Sequence, residues 1–437
     1  MTTRDPIAQL TDRLEHICTP QITGKITCIR ETVIEGVLAG AATHAIVQIE
    51  TNAQRTIAEI TQVNGADVTL MPLSPAPIVT VGDTITLLHR AAVVDVGSRL
   101  LGRVINPMGD PMDDLGPIRE TIPWPLHRNA PHPLQRPAIE TPLATGVKVI
   151  DGLLAFGWGA RFGLFAGPGQ GKSTLLGNLA AHADCDVVVI CLAGERGREA
   201  GEFVHRILGK TGRSRSVVVL STSDMPAAQR VMSLQTSTAI AEWFRDQGNR
   251  VLLLVDSLTR IVRAKRDMDV AAGIPMGPSR LSATTLNFLP PLLERAAPNR
   301  FGSISAMYTV LEQTTDDQMM SGEITSLLDG HILLSKKRAD AGKWPAVNVV
   351  ESVSRVMNQV MLAEDREAAS QLRRVLAAWD ENEELLLIGA YQNGSCRYTD
   401  MYLRLKNEIE AFLTQGNAPV PLDATRRQLR QLTSLFH

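Results

Sequence analysis

From residue 21 to about 90 the chain runs in short segments rich in β-branched residues, among them GKITCIRETVIEGVL, HAIVQIET and DTITLLH. Gly, Asn, Asp and Pro separate them, which predicts strands joined by turns and, together, a small β-barrel. From about 145 to 350 the texture changes. Short apolar runs (RFGLFA, DVVVICLA, SVVVLS, RVLLLVD and GSISAMYTVL) alternate with helical patterns. Such runs fit a parallel sheet buried on both faces, and the alternation fits βαβ units. Beyond about 360 the spacing is helical. Leu372, Val375, Leu376 and Trp379 share one face, and Tyr402, Leu405, Ile409 and Phe412 another. Pro123, Pro125, Pro131, Pro133, Pro137 and Pro142 crowd one stretch. Proline fixes φ and cannot donate to a ladder, so 123–142 reads as an ordered or semi-rigid connector. At the N-terminus, Ile7, Leu10, Leu14 and Ile17 follow Pro6 at helical spacing. That fits a helix docking a partner or a membrane surface, or one packed on its own domain.

Length and charge narrow this picture. A chain of 437 residues predicts roughly three domains. The boundaries expected are 1–92 for the barrel with its leading helix, 93–360 for the α/β domain and 361–437 for the helices. A formal net charge of -2 carries no basic excess for wrapping nucleic acid. The five cysteines, Cys18, Cys28, Cys185, Cys191 and Cys396, are odd in number and lack C-x-x-C spacing. Neither a disulfide framework nor a zinc site is expected, in keeping with a reducing cytosol. The N-terminus contains acids and no continuous apolar run, so no secretory signal is expected, and no stretch approaches the ~20 apolar residues of a membrane span. His205 and His331 belong to no ligand cluster. WDENEELL (379–386) reads as a solvated helix face.

The candidate chemistry starts at FGLFAGPGQGKST, residues 162–174. A strand, a glycine bend and a helix follow one another there, as a phosphate loop requires. The usual spacing, G-x-x-x-x-G-K-[ST], would put Gly where this chain has Ala166. That position lies at the strand end, before the bend, so its methyl group need not touch phosphate. Gly167, Pro168, Gly169, Gln170 and Gly171 form the bend. Its backbone N–H groups and the positive end of the following helix fit an anion. Lys172 would reach the β- and γ-phosphates; Ser173, followed by Thr174, would bind magnesium. RVLLLVD ends in Asp256, which fits either the acid of the magnesium shell or a strand-end cap. The strand before LAGERGREAGEF delivers Glu195 to a carboxyl end, where ligands sit in open α/β sheets. A carboxylate there fits a base for the attacking water; without that context Glu195, Arg196, Arg198 and Glu199 are a charged helix start.

At this point the chain resembles the ATPases of type III protein export, in injectisomes and flagella, relatives of the catalytic subunit of rotary ATP synthases. Eight segments are similar to that family's motifs, in order. They are LLGRVINPMGDPMDDLGP, TGVKVIDGLLAFGWGARFGLFAGPGQGKSTLL, LAGERGREAGEF, STSDMP, VDSLTRIVRAKRD, LPPLLERA, SLLDGHILLS and WPAVNVVESVSRVM. The family also tends to carry Ala at position 166. The resemblance implies an α/β fold: a RecA-type P-loop nucleotide-binding domain with an N-terminal β-barrel and a C-terminal helical domain. It implies ATP and Mg2+ as ligands, Glu195 as the catalytic glutamate and Asp256 as the second acid. It also implies Arg355 as an arginine finger reaching a neighbouring subunit's site, and Trp344, where Tyr is usual, as the aromatic that packs on adenine. Read unaided, Trp344 is a half-buried core aromatic and Arg355 a surface charge.

The same resemblance implies a homohexamer at the cytosolic face of the inner membrane, in peripheral contact with the export gate. Its partners would be stator and stalk components and chaperone–substrate complexes, with no nucleic acid. Its work would be releasing secretion substrates from chaperones and unfolding them. Departures concern other places. GIPMGPSRLSATTLNF (273–288) replaces the family's Gly-Tyr-Pro-Pro-Ser stretch, Thr325 replaces an Arg, and Asn348 stands where Asp is common. They bear on subunit contacts, pore surface and rate more than on nucleotide binding. The readings left beside an injectisome ATPase are a flagellar export ATPase, a rotary catalytic subunit and a non-hydrolysing structural subunit. Glu195 argues against the last. A nucleic-acid motor related to Rho is disfavoured by the missing basic stripe.

Overall fold

The structure is a computed structural model that describes residues 21–30, 32–51, 54–75, 78–277, 280–311 and 315–436. The helix expected at 5–17, and Cys18, lie outside these. Contacts divide the chain between Ala92 and Val93 into two compact units.

In the first unit six strands close a barrel in the order β1-β2-β5-β4-β3-β6. They are β1 (Thr23–Arg30), β2 (Val33–Val37), β3 (Ile46–Glu50), β4 (Arg55–Asn64), β5 (Asp67–Pro72) and β6 (Thr84–His89). GKITCIRETVIEGVL is thus a hairpin, β1 and β2, paired Arg30 to Val33 at its turn. All pairs are antiparallel, and β1 against β6 closes the ring, which leaves no open edge. Ile26, Ile34, Val47, Ile49, Ile60, Leu70 and Ile85 fill the inside.

The second unit is built on an eight-stranded sheet, ordered β16-β15-β10-β14-β13-β11-β12-β8. A two-stranded ribbon of β7 (Val93–Val96) and β9 (Ile122–Pro125) precedes it, with β8 (Val104–Ile105) between them in sequence. The proline-rich stretch therefore begins as a strand, with Pro125 at its end, and continues into a 3-10 turn at Pro133–Gln135. The five apolar runs are β10 (Arg161–Ala166), β11 (Val187–Glu195), β12 (Ser216–Thr222), β13 (Arg250–Asp256) and β14 (Ser303–Leu311). Every residue of β11 and β14 is buried; β11 accordingly carries no polar alternation, and the polar residues of β14 are the small Ser303, Ser305 and Thr309. All are parallel; β15 (Gly330–Leu334) continues the parallel set, and β16 (Val347–Ser354) pairs with it antiparallel at the sheet edge.

The helices after 360 share the core of this sheet. Leu372, Val375, Tyr402, Ile409, Phe412 and Leu429 belong to one apolar cluster with Phe156, Leu164 and Leu175. The face expected from Tyr402 to Phe412 is split at Leu405 between the helices Arg397–Arg404 and Lys406–Leu413.

The divergent stretch near 273–288 has its own support. Ser282 caps the helix Ala283–Leu293 by accepting from the Thr285 N–H at 2.9 Å. Thr284 and Thr285 donate to buried Asp269 at 2.6 and 2.8 Å, and Lys265 pairs with it. Thr325 donates back to the Ser321 carbonyl at 2.7 Å.

Candidate active site

β10, β13 and β11 lie inside the sheet and run parallel, so their carboxyl ends fall on one side of it, and each hands over one part of the site. β10 ends in Ala166, which is buried at 3% exposure. The chain then bends through Gly169 and Gly171, both left-handed with φ of 74° and 81°, a conformation that favours glycine. Inside the bend the Gln170 Oε1 accepts the Gly167 N–H at 2.8 Å. The helix Lys172–His182 follows directly, and no side chain caps its start. Its first N–H groups therefore remain available to an anion. The inner face, Leu175, Leu176 and Leu179, seats it on the sheet.

β11 delivers Glu195 and β13 delivers Asp256, buried at 6% and 3% exposure. The Lys172 ammonium pairs with Asp256 Oδ1 and stands 3.6 Å from Glu195 Oε1. β14 adds Thr309, whose hydroxyl donates to Asp256 Oδ1 at 2.9 Å. Ser257 starts the helix Leu258–Ala271, which places Arg260 one turn in. Its Nη1 donates to Glu195 Oε2 and to the Gly194 carbonyl, both at 2.7 Å. Burial pushes the Glu195 carboxyl above the usual range, and the charge of Asp256 adds to this. Lys172 and Arg260 oppose it. Two cations thus face two buried acids at the mouth of the loop.

These groups line a cavity of about 1000 Å³. Ser173, Thr174, Trp344, Gln415, Gly416, Asn417 and Pro419 line it too. Trp344 is 40% exposed, so it is not a core residue. Its ring lies so close to Gly171 that a β-carbon there would stand 2.7 Å from it. A second wall is Thr145–Gly146. Asp151 holds it, accepting from both N–H groups at 2.9 and 3.0 Å and from the Thr145 hydroxyl at 2.6 Å.

Lys172, Glu195, Asp256 and Trp344 are therefore brought together with the loop residues. Arg355 is not. It follows the edge strand β16, is exposed, and its N–H donates to the Asp329 carbonyl at 2.9 Å. Reading the sequence did not single out Arg260, Thr309 or Gln415. Arg260 carried a usable signal: it lies four residues after Asp256, behind a Ser that caps a helix. Thr309 sits inside a buried strand beside other small hydroxyl residues, Ser303 and Ser305, and nothing sets it apart from them.

The uncapped helix start, the left-handed glycines and Lys172 fit the phosphates of a nucleotide. The oxygen donors Ser173 and Asp256 fit a hard cation.

The chain is similar to known proteins along most of its length. Residues 146–354 match the family model of the ATP synthase alpha/beta family, nucleotide-binding domain. Residues 361–431 match that of the T3SS EscN ATPase C-terminal domain. The type 3 secretion system ATPase of Pseudomonas syringae pv. syringae is 40% identical over 431 residues, 97% of this chain and 96% of that protein. The chain belongs to the type III protein-export ATPases. Within that family, the flagellum-specific ATP synthase of Treponema pallidum is 41% identical over 94% of this chain and 93% of its own length. The solved structure of the assembled ATPase EscN from enteropathogenic E. coli superimposes with a TM-score of 0.88. It is 36% identical and covers 94% of this export ATPase and 100% of that chain. EscN in complex with its central stalk EscO gives a TM-score of 0.87 at 37% identity, with the same coverage. Among the described residues no helix is long and apolar enough to cross a membrane.

Proposed function

We propose that this export ATPase hydrolyses Mg-ATP at the boundary between subunits of a homohexamer and so drives type III protein export. The observation that carries the reading is the convergence of Lys172, Glu195, Asp256 and Arg260 on the phosphate loop. The backbone of 167–171 and the start of the helix Lys172–His182 hold the phosphates. Lys172 places its charge on the β- and γ-phosphates. Ser173 and Asp256 would hold magnesium, which supplies charge neutralisation between those phosphates. Trp344 stacks on the adenine, its flat face filling the role Tyr has in relatives.

Glu195, fixed by Arg260, takes a proton from water as the water oxygen attacks the γ-phosphorus. The bond from that phosphorus to the β–γ bridging oxygen breaks, giving ADP and phosphate. Arg355 stabilises the charge of that transition state in the neighbouring subunit's site. EscN has been solved assembled and with its stalk, which supports a ring with a stalk partner here. The remaining parts of the proposal are a cytoplasmic position at the inner-membrane face, contacts with stator and export gate, and release and unfolding of chaperone-bound substrates.

Glu195→Gln tests the core of this reading. The amide keeps the shape and removes the base. It should bind Mg-ATP with near-parental affinity and turn it over about 10²–10⁴ times more slowly. Turnover close to that of the parent would remove Glu195 from the chemistry.

A further inference from the structure

Gln415 follows the helix Lys406–Leu413 and joins two distant stretches of chain at the cavity wall. Its backbone N–H donates to the Trp344 carbonyl at 2.7 Å. Its side-chain Nε2 donates to the Gly146 and Ala418 carbonyls, both at 2.7 Å, and its Oε1 accepts the Lys148 N–H at 2.8 Å. The amide has one orientation. Turning it over would set its oxygen against two carbonyls and its NH2 against an N–H. Each partner stretch borders the cavity: Gly146 on one wall, Trp344 and Pro345 on another, Gln415 itself between them. The Trp344 ring in turn borders Gly171, the last glycine of the phosphate loop.

We infer that Gln415 is the positioning residue of the base site, fixing the distance between the Trp344 ring and the Gly146–Lys148 wall and thereby the preference for a purine. The inference rests on the reading that Trp344 stacks on the base. The bonds of Gln415 run to the Trp344 and Gly146–Lys148 walls and not to Lys172, Glu195 or Asp256, so its effect falls on nucleotide binding. The joint also has independent ties. The Lys148 ammonium donates to the Ala411 carbonyl at 2.7 Å, and the Val420 N–H to the Gly146 carbonyl at 3.0 Å. Loss of the Gln415 amide therefore loosens this wall and leaves it attached.

The experiment measures KM and kcat for ATP and for CTP, per active site, in Gln415→Glu and Gln415→Leu. Glu keeps the acceptor for Lys148 and sets a carboxylate oxygen against the two carbonyls. Leu removes all three side-chain bonds. Both should raise KM for ATP by about tenfold, the worth of one misplaced aromatic contact, with kcat near the parent's. Since a single-ring base uses less of the wall, KM for CTP should change less, and the ratio of ATP to CTP kcat/KM should fall. An unchanged KM for ATP in both variants overturns the inference. So does a loss confined to kcat, or equal for the two nucleotides, because damage to the fold would act that way. Trp344→Ala separates the two layers. If it leaves KM for ATP unchanged, the stacking reading itself fails. If it raises KM while the Gln415 variants do not, only the role of Gln415 fails.

Discussion

The Arg260 guanidinium and the Glu195 carboxylate are joined at 2.7 Å, across the end of a strand and the first turn of a helix. Burial and the neighbouring charge of Asp256 hold the Glu195 carboxyl above its ordinary range, while Lys172 and Arg260 pull it down. A base works only in its deprotonated form, above its pKa. Arg260→Gln removes one downward pull, so the Glu195 pKa rises further. The acid limb of the kcat/KM profile should then move to higher pH. A pH series on parent and variant reads this directly; a limb that stays in place, or moves to lower pH, contradicts the role given to Arg260.

Lys172 does two things in this structure: it faces the phosphate loop and it neutralises Asp256 and Glu195. Lys172→Ala should weaken Mg-ADP binding by at least about 30-fold, the worth of a lost charge-assisted hydrogen bond. The helix keeps its apolar face on the sheet, so the far-UV spectrum should not change. Titration with a fluorescent nucleotide measures the affinity. Near-parental binding would contradict the phosphate-loop assignment.

Much of this was legible because it is local. Strand, bend and helix lie in thirteen consecutive residues, FGLFAGPGQGKST, and the glycines announce the bend. Glu195 and Asp256 were legible because each ends an apolar run, and parallel strands bring such ends to one side of the sheet. The split of GKITCIRETVIEGVL into a hairpin was less plain, since no Gly, Pro or Asn marks its turn. β8, two residues long, leaves no periodicity to find. Gln415 was illegible for a different reason. Its partners lie 267 and 269 residues away, and nothing near 415 in the chain points to them.

The Arg of the LLERA segment has a structural duty. Arg295 and Glu242 are buried at 3% and 1% exposure and joined by two hydrogen bonds of 2.9 and 2.7 Å. Arg295 also donates to the Leu126 carbonyl at 2.6 Å, at the end of the ribbon. Removing one partner leaves a buried charge unpaired. Glu242→Ala should therefore cost about 3–5 kcal/mol, read from the urea midpoint of the second unit. The double replacement Glu242→Leu, Arg295→Met should recover much of that loss. A single variant as stable as the parent would contradict this.

The role proposed for Arg355 links chemistry to assembly. The exposed guanidinium follows an edge strand and lies outside the cavity that holds Lys172, Glu195 and Asp256 of the same chain. An arginine finger in that place must serve another copy's site. Turnover per chain should therefore rise with protein concentration, as rings form. Arg355→Ala should lose about 10³-fold or more in turnover and keep most of its ATP affinity, because the finger acts in the transition state. Mixing Arg355→Ala with Glu195→Gln gives the decisive reading. In a mixed ring some boundaries join an intact Glu195 to an intact Arg355 from the neighbour. Those boundaries should regain activity far above that of either variant alone. A titration of wild type with either variant shows by its curvature whether one damaged boundary silences a ring. If mixed rings form, damaged boundaries do not silence their neighbours, and activity still fails to return, Arg355 does not act across the boundary.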